Sequence, residues 1–184
     1  MDEAQSSKDW IVEALFILLR EKPLAKITVT EITKKAGVAR LTFYRNFDSK
    51  EAVIQYQSNV LFERYLAELR QQPDMNLEAM LHMSFTYWQQ GEETLQVMIQ
   101  NELTPMLEQA FRQYLSIIID NFPQFKQFTH VQHYFLIGGM VQVIIDWLGH
   151  GGQPPVDQVV AEILALINQK QMYREDATEE PLPH

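Results

Sequence analysis

His130 and His133 stand three residues apart in a stretch of helical periodicity, which puts both imidazoles on one face at a spacing two metal ligands would use. Nothing completes such a site. The chain has no cysteine, and no carboxylate stands at a fixed motif distance from the pair, so neither a metal nor a cofactor is expected. The paired acids Glu92-Glu93 and Glu179-Glu180 fall in turn and tail sequence, where solvation is expected in place of acid-base work. Gly-rich phosphate loops, nucleophile elbows and HExxH are all missing from the sequence. The residues therefore point away from an enzyme and toward non-covalent recognition.

The groups suited to recognition are concentrated in residues 28–51, TVTEITKKAGVARLTFYRNFDSKE. Between Lys22 and Lys50 there are seven basic residues and two acidic ones, a local charge of +5 on a chain whose total is −9. A basic island on an acidic protein suits a polyanion such as DNA. Two short helices joined by a tight turn must position these charges. Thr28 can cap the first, with Glu31 three residues on to complete a capping box, and Val29, Ile32 and Ala36 share its apolar face. Gly37 supplies the stop, because a residue just past a helix end often needs the left-handed conformation that glycine adopts at little cost. The second helix is expected over 39–47. Phe43 and Phe47 share its inner arc, Leu41, Thr42 and Arg45 the opposite one, and Arg40, Tyr44 and Asn46 the flanks.

Ala36, Gly37, Val38, Phe43, Tyr44, Phe47, Lys50, Glu51 and Val53, at this spacing, resemble the DNA-binding motif of the tetracycline-repressor (TetR) family. The resemblance covers roughly the first third of the chain, with 10–20 as the supporting first helix. Ala39 departs from it where a capping serine is usual, and Leu41 where glycine is usual. It implies an all-α protein of about nine helices. An N-terminal three-helix, helix-turn-helix DNA-binding domain (1–50) precedes a larger helical ligand and dimerisation domain (51–170), with a disordered tail over 171–184. The expected DNA-contacting set is Thr28, Thr30, Arg40, Leu41, Thr42, Tyr44, Arg45 and Lys50. Within it, Arg40, Leu41 and Thr42 face base edges, while Thr30, Tyr44, Arg45 and Lys50 touch phosphates.

The flanking elements read as helices throughout. Ser7 is placed to cap the first, whose Ile11, Ala14, Leu15, Leu18 and Leu19 form one stripe, and Pro23 ends it. Asp48 or Ser49 can cap a long helix with Ile54, Leu61, Tyr65 and Leu69 on one face, closing near Pro73. Beyond it come segments at 77–90, 92–100, 104–121, 129–150 and 155–169, broken by Gly91 and by residues 149–155. No run is expected to span a membrane, since even 134–148 carries glycines, Gln142 and Asp146. With no export signal and no cysteine, a cytoplasmic location is expected.

In the family the C-terminal body both dimerises and binds ligand. The expected ligand-binding residues are Met83, Tyr87, Trp88, Met98, Phe111, Tyr114 and Tyr134, because methionines adapt and aromatics stack around a small apolar or aromatic molecule. His82, His133 and Gln142 are candidate polar anchors. Gly138, Gly139, Ile144, Leu148, Val159, Ile163 and Ile167 are the expected dimerisation residues, since two recognition helices reading a palindromic operator on double-stranded DNA need a two-fold axis. The expectation is a homodimeric repressor released by a small molecule. The alternative is the same fold controlled by a partner protein docked on the body, with activation possible.

Overall fold

Every regular element among the described residues is helical. The computed structural model describes residues 3–72, 75–121, 125–126 and 128–175. Nine α-helices and one 3-10 turn, Leu24–Lys26, make up those segments. Helices α1 (Glu3–Leu19), α2 (Val29–Ala36) and α3 (Arg40–Asn46) form the head. Ile11 and Leu15 from α1, Ile32 from α2 and Phe43 from α3 meet with no solvent exposure, which fixes the three axes against one another. Ser7 does not cap α1: the helix begins at Glu3, and Ser7 lies buried within it.

Helix α4 (Lys50–Arg70) is the rod between head and body. Ser49 caps it, its hydroxyl accepting from the Ala52 amide at 3.0 Å. Its front half packs in the head through Val53 and Ile54, and its rear half enters the body through Phe62, Tyr65, Leu66 and Leu69. The body adds α5 (Leu77–Gln90), α6 (Glu92–Gln100), α7 (Thr104–Asn121), α8 (His130–Gly149) and α9 (Val156–Glu175). Phe62 is the hub. Its ring lies 4.6 Å from Trp88, 4.8 Å from Phe111 and 4.4 Å from Tyr114, stacked face to face on the last, so α4, α5 and α7 share one aromatic core. Two clasps that sequence patterning does not show join head to body: Asn101 Nδ2 donates to the Leu19 carbonyl at 2.9 Å, and Arg20 pairs with Glu93 at 2.8 Å.

Three expectations are corrected here. Helix α9 continues to Glu175, into the stretch assigned to the tail; residues 176–184, like Pro73, lie outside the described residues. Helix α8, at 20 residues and a mean hydropathy of 1.2, is long and apolar enough by length and composition to cross a membrane, contrary to the expectation that no run reaches that length. Its Met140, Val141, Ile144, Ile145, Trp147 and Leu148 pack instead into the body. Finally, Ile144, Leu148, Val159 and Ile163, expected at the dimer interface, are buried within the protomer, and the half-buried Ile167 lines the body cavity. Among the described side chains, the large apolar ones that α8 and α9 leave exposed are Val131, Tyr134, Phe135 and Leu166.

Candidate nucleic-acid interface and body cavity

The turn between α2 and α3 is specified locally. Thr28 accepts from the Glu31 amide, and the Glu31 carboxylate accepts from the Thr28 amide at 2.9 Å, which makes the reciprocal capping box. Gly37 ends α2 at φ 68°, and a Cβ there would meet no atom within 4 Å. Its glycine is therefore needed for the left-handed backbone and not for space. Helix α3 then presents two surfaces. Phe43 and Phe47 are buried, ring centroids 6.1 Å apart, while Arg40, Leu41, Tyr44 and Arg45 face solvent and Thr42 is half-buried. Leu41 is 78% exposed, an apolar side chain that the protomer gives nothing to cover. Arg40 lies across the Tyr44 ring, 5.6 Å from its centroid, and donates to the Tyr44 hydroxyl at 3.3 Å.

Two members of the expected contact set have other work. Lys50 Nζ donates to the Leu24 and Ile27 carbonyls, each at 2.7 Å, so two of its three N–H groups tie the start of α4 to the turn before α2. The Thr28 hydroxyl is taken up on both sides by Glu31. Both hold the motif in shape. Lys22 is likewise paired with Glu31, and Lys35 with Glu21 at 3.2 Å, whereas Lys26, Lys34 and Arg45 are exposed.

These assignments separate two kinds of variant. Arg45→Ala is expected to flatten the salt dependence of DNA binding by about one unit per protomer. Lys50→Ala is expected to leave that slope unchanged and to destabilise the head by about 1.5–3 kcal/mol, the range for hydrogen bonds to a charged group. Salt titration of binding beside denaturant unfolding reads both; a flattened slope for Lys50→Ala would restore its phosphate role.

The Lys22 ammonium, and after it the Thr28 amide and hydroxyl, hold the Glu31 carboxyl down to about 2 from an ordinary 4.5. A lowered folded-state value contributes stability that is present above the ordinary value and is lost as pH falls toward 2. A carboxyl NMR titration is expected to place the Glu31 midpoint near 2 and to raise it in Lys22→Ala. A wild-type midpoint near 4.5 would show the cap unformed.

The family model for bacterial regulatory proteins of the tetR family matches residues 11–56, which run from the core of α1 into the front of α4. Over its head the chain is similar to the tetR family. Nucleoid occlusion factor SlmA of Marinobacter nauticus is 30% identical over 92 residues, 47% of this chain and 47% of that protein. The transcriptional regulator EthR of Mycobacterium tuberculosis is 54% identical over 37 residues, covering 20% of this chain and 17% of that regulator. The match therefore spans about half the length of the first relative and less of the second. Over most of the chain the fold is shared with Lin0861 from Listeria innocua, at TM-score 0.73 and 17% identity, covering 91% of this chain and 93% of that one.

In the body a cavity of about 50 Å³ lies among α4, α5, α7, α8 and α9. Of the expected ligand-binding residues, Trp88, Phe111 and Tyr114 line it. The other four do not: Met98 is sealed in the core, Tyr87 donates to the Leu61 carbonyl at 2.8 Å, Met83 is half-buried elsewhere, and Tyr134 is exposed. The expected polar anchors are also displaced. His82 faces Asp157 at 3.6 Å, His133 Nε2 faces the Phe125 carbonyl at 3.2 Å, and Gln142 is exposed. Among the polar residues on its lining, Tyr65 and Ser84 hydrogen-bond each other through their hydroxyls, while the Tyr114 hydroxyl donates to the Asn59 carbonyl at 3.5 Å. Periodicity could place Tyr65 on the inner face of α4, but only the packing of α4 on α5 brings it to Ser84. Among the described residues no group of three or more histidines or acids could hold a metal ion.

Proposed function

We propose that the chain is a homodimeric TetR-type repressor, acting in the cytoplasm, whose operator grip is released by a small apolar ligand. The observation that carries the DNA-reading part is the outward face of α3: Arg40, Leu41, Tyr44 and Arg45 stand exposed on a helix pinned from behind by Phe43 and Phe47. Arg40, with its guanidinium set over Tyr44, is placed to pair with a guanine, and Leu41 to pack on a thymine methyl. Thr30, Tyr44 and Arg45 supply backbone contacts that set register. Arg40→Ala or Leu41→Ala is expected to change which operator is preferred, by about 1–3 kcal/mol per lost base contact. Selection of bound DNA from a random pool checks this, and an unchanged consensus would remove them from the reading set.

Dimerisation is assigned to the outer faces of α8 and α9. Val131, Phe135 and Gly139 recur at intervals of four along one line of α8, and Leu166 stands 68% exposed on α9. Gly138 and Gly139 have open space where a Cβ would sit, so nothing in the protomer asks for glycine there; a second helix approaching closely does.

Ligand coupling runs through α4. Phe62 and Tyr65 line the cavity, and Lys50 at the other end of the same helix grips the head, about 18 Å away at 1.5 Å rise per residue. Ile137, Met140 and Ile167 put the dimer helices on the same cavity. A ligand there biases the angle between the heads, and only as far as its affinity differs between the two arrangements. The cavity's small volume favours a second reading, control by a partner protein docked on the body. Native mass spectrometry of the purified dimer with a compound library, beside co-purification, separates the two.

A further inference from the structure

The body cavity has a polarity that selects its occupant. Among the described residues no charged side chain lines it, so an ionised carboxylate or ammonium would enter without a counter-charge from them, at a prohibitive desolvation cost. Its Tyr65–Ser84 wall is directional. Ser84 Oγ donates to the Met80 carbonyl at 2.7 Å, which uses its one proton; the hydrogen bond between the two hydroxyls must then be donated by Tyr65, which uses that proton too. What the pair has left to offer is lone pairs, an acceptor and not a donor. Burial of Tyr65, against a smaller opposing effect of Ser84, pushes its phenol up to about 12, so it stays neutral and keeps the relay in that sense near neutral pH.

Size narrows the choice further. At about 50 Å³ the cavity is well short of the roughly 150 Å³ that houses benzene in an engineered site, so any occupant must enter by displacing side chains, and shape decides which can. The rings around it are packed at 4.4 to 5.0 Å on Phe62, Trp88, Phe111 and Tyr114 and leave no slot for another ring. A methylene chain can enter where the flexible Met80 and Met140 side chains give way.

We propose that the cavity takes a neutral, slender apolar molecule bearing one hydrogen-bond donor, in chemical class a straight-chain alcohol, whose hydroxyl donates to the Tyr65–Ser84 pair. This deepens the ligand-released reading and rests on it for the cavity's being a ligand site. Isothermal titration of the full chain, without DNA, is run with n-octanol, octanoate and heptyl methyl ether, the last matching the alcohol in length while lacking a donor. The alcohol is expected to bind at least about tenfold more tightly than the carboxylate, and about threefold to tenfold more tightly than the ether. In the Tyr65→Phe/Ser84→Ala double variant, alcohol and ether are expected to bind within about twofold of each other, with the ether's affinity retained.

The idea is overturned if the alcohol fails to bind wild-type protein, if octanoate or the ether matches it there, or if the double variant keeps the alcohol preference. The wild-type comparison stands even if that variant does not fold. Alcohol binding that leaves DNA bound would sink the release mechanism and spare this inference; release by octanoate with no alcohol binding would do the reverse.

Discussion

Leu166→Asp and Phe135→Asp are each expected to yield a folded, helical monomer that has lost high-affinity operator binding. Both side chains are about two-thirds exposed in the protomer, at 68% and 67%, so neither change disturbs the subunit's own core. In the dimer each would bury a charge against an apolar face, which is strongly unfavourable when unpaired. DNA binding follows, because a symmetric pair converts the second half-site contact into an intramolecular one, worth about 10² to 10⁴ in affinity. Sedimentation is expected to move from twice the chain mass to the 21.5 kDa protomer, with the helical circular dichroism retained. A dimer that persists in both variants would place the interface elsewhere.

Phe62→Ala is expected to remove about 3–5 kcal/mol of stability, the range for emptying a buried aromatic site. Phe62 is 1% exposed and touches rings from α5 and α7, so the neighbours cannot collapse inward without breaking the Tyr114 stack and the Trp88 and Phe111 contacts. Denaturant unfolding at fixed protein concentration measures it, the concentration mattering because dimerisation adds to apparent stability. A loss below about 1.5 kcal/mol, the scale of a well-tolerated core swap, would mean that α4 does not depend on this cluster. The same variant should weaken any ligand whose effect is transmitted by α4, since Phe62 lines the cavity.

The head was legible in the sequence because its determinants are local. The Thr28–Glu31 box, the left-handed Gly37 and the Phe43–Phe47 arc are each set by residues within a few positions of one another. Where a role depends on a distant backbone, the residues are silent. Lys50 reads as a basic residue near DNA, and only the folded chain brings it to carbonyls 26 and 23 residues earlier. The burial of Ile144 and Leu148 was hidden for a different reason. Helix α8 is apolar nearly all round, so its inward stripe through Ile144 and Leu148 cannot be told by periodicity from the outward one through Val131 and Phe135. The glycines at 138 and 139 stand out in the sequence because they are unfavourable in a helix, and the structure leaves open space where each Cβ would sit. In the cavity, composition identified Trp88, Phe111 and Tyr114 but could not rank them above Met98 or Tyr87, since all five suit an apolar interior.

Two copies of α3 are expected to read one duplex together. Selection of bound sequences from a random DNA pool, at moderate salt and with full-length protein, is the measurement. The predicted result is an inverted repeat with half-site centres one helical turn, about 34–36 Å, or a multiple of that apart, altered in its consensus by Arg40→Ala. No enrichment over the starting pool, or a single asymmetric site indifferent to Arg40, would contradict it.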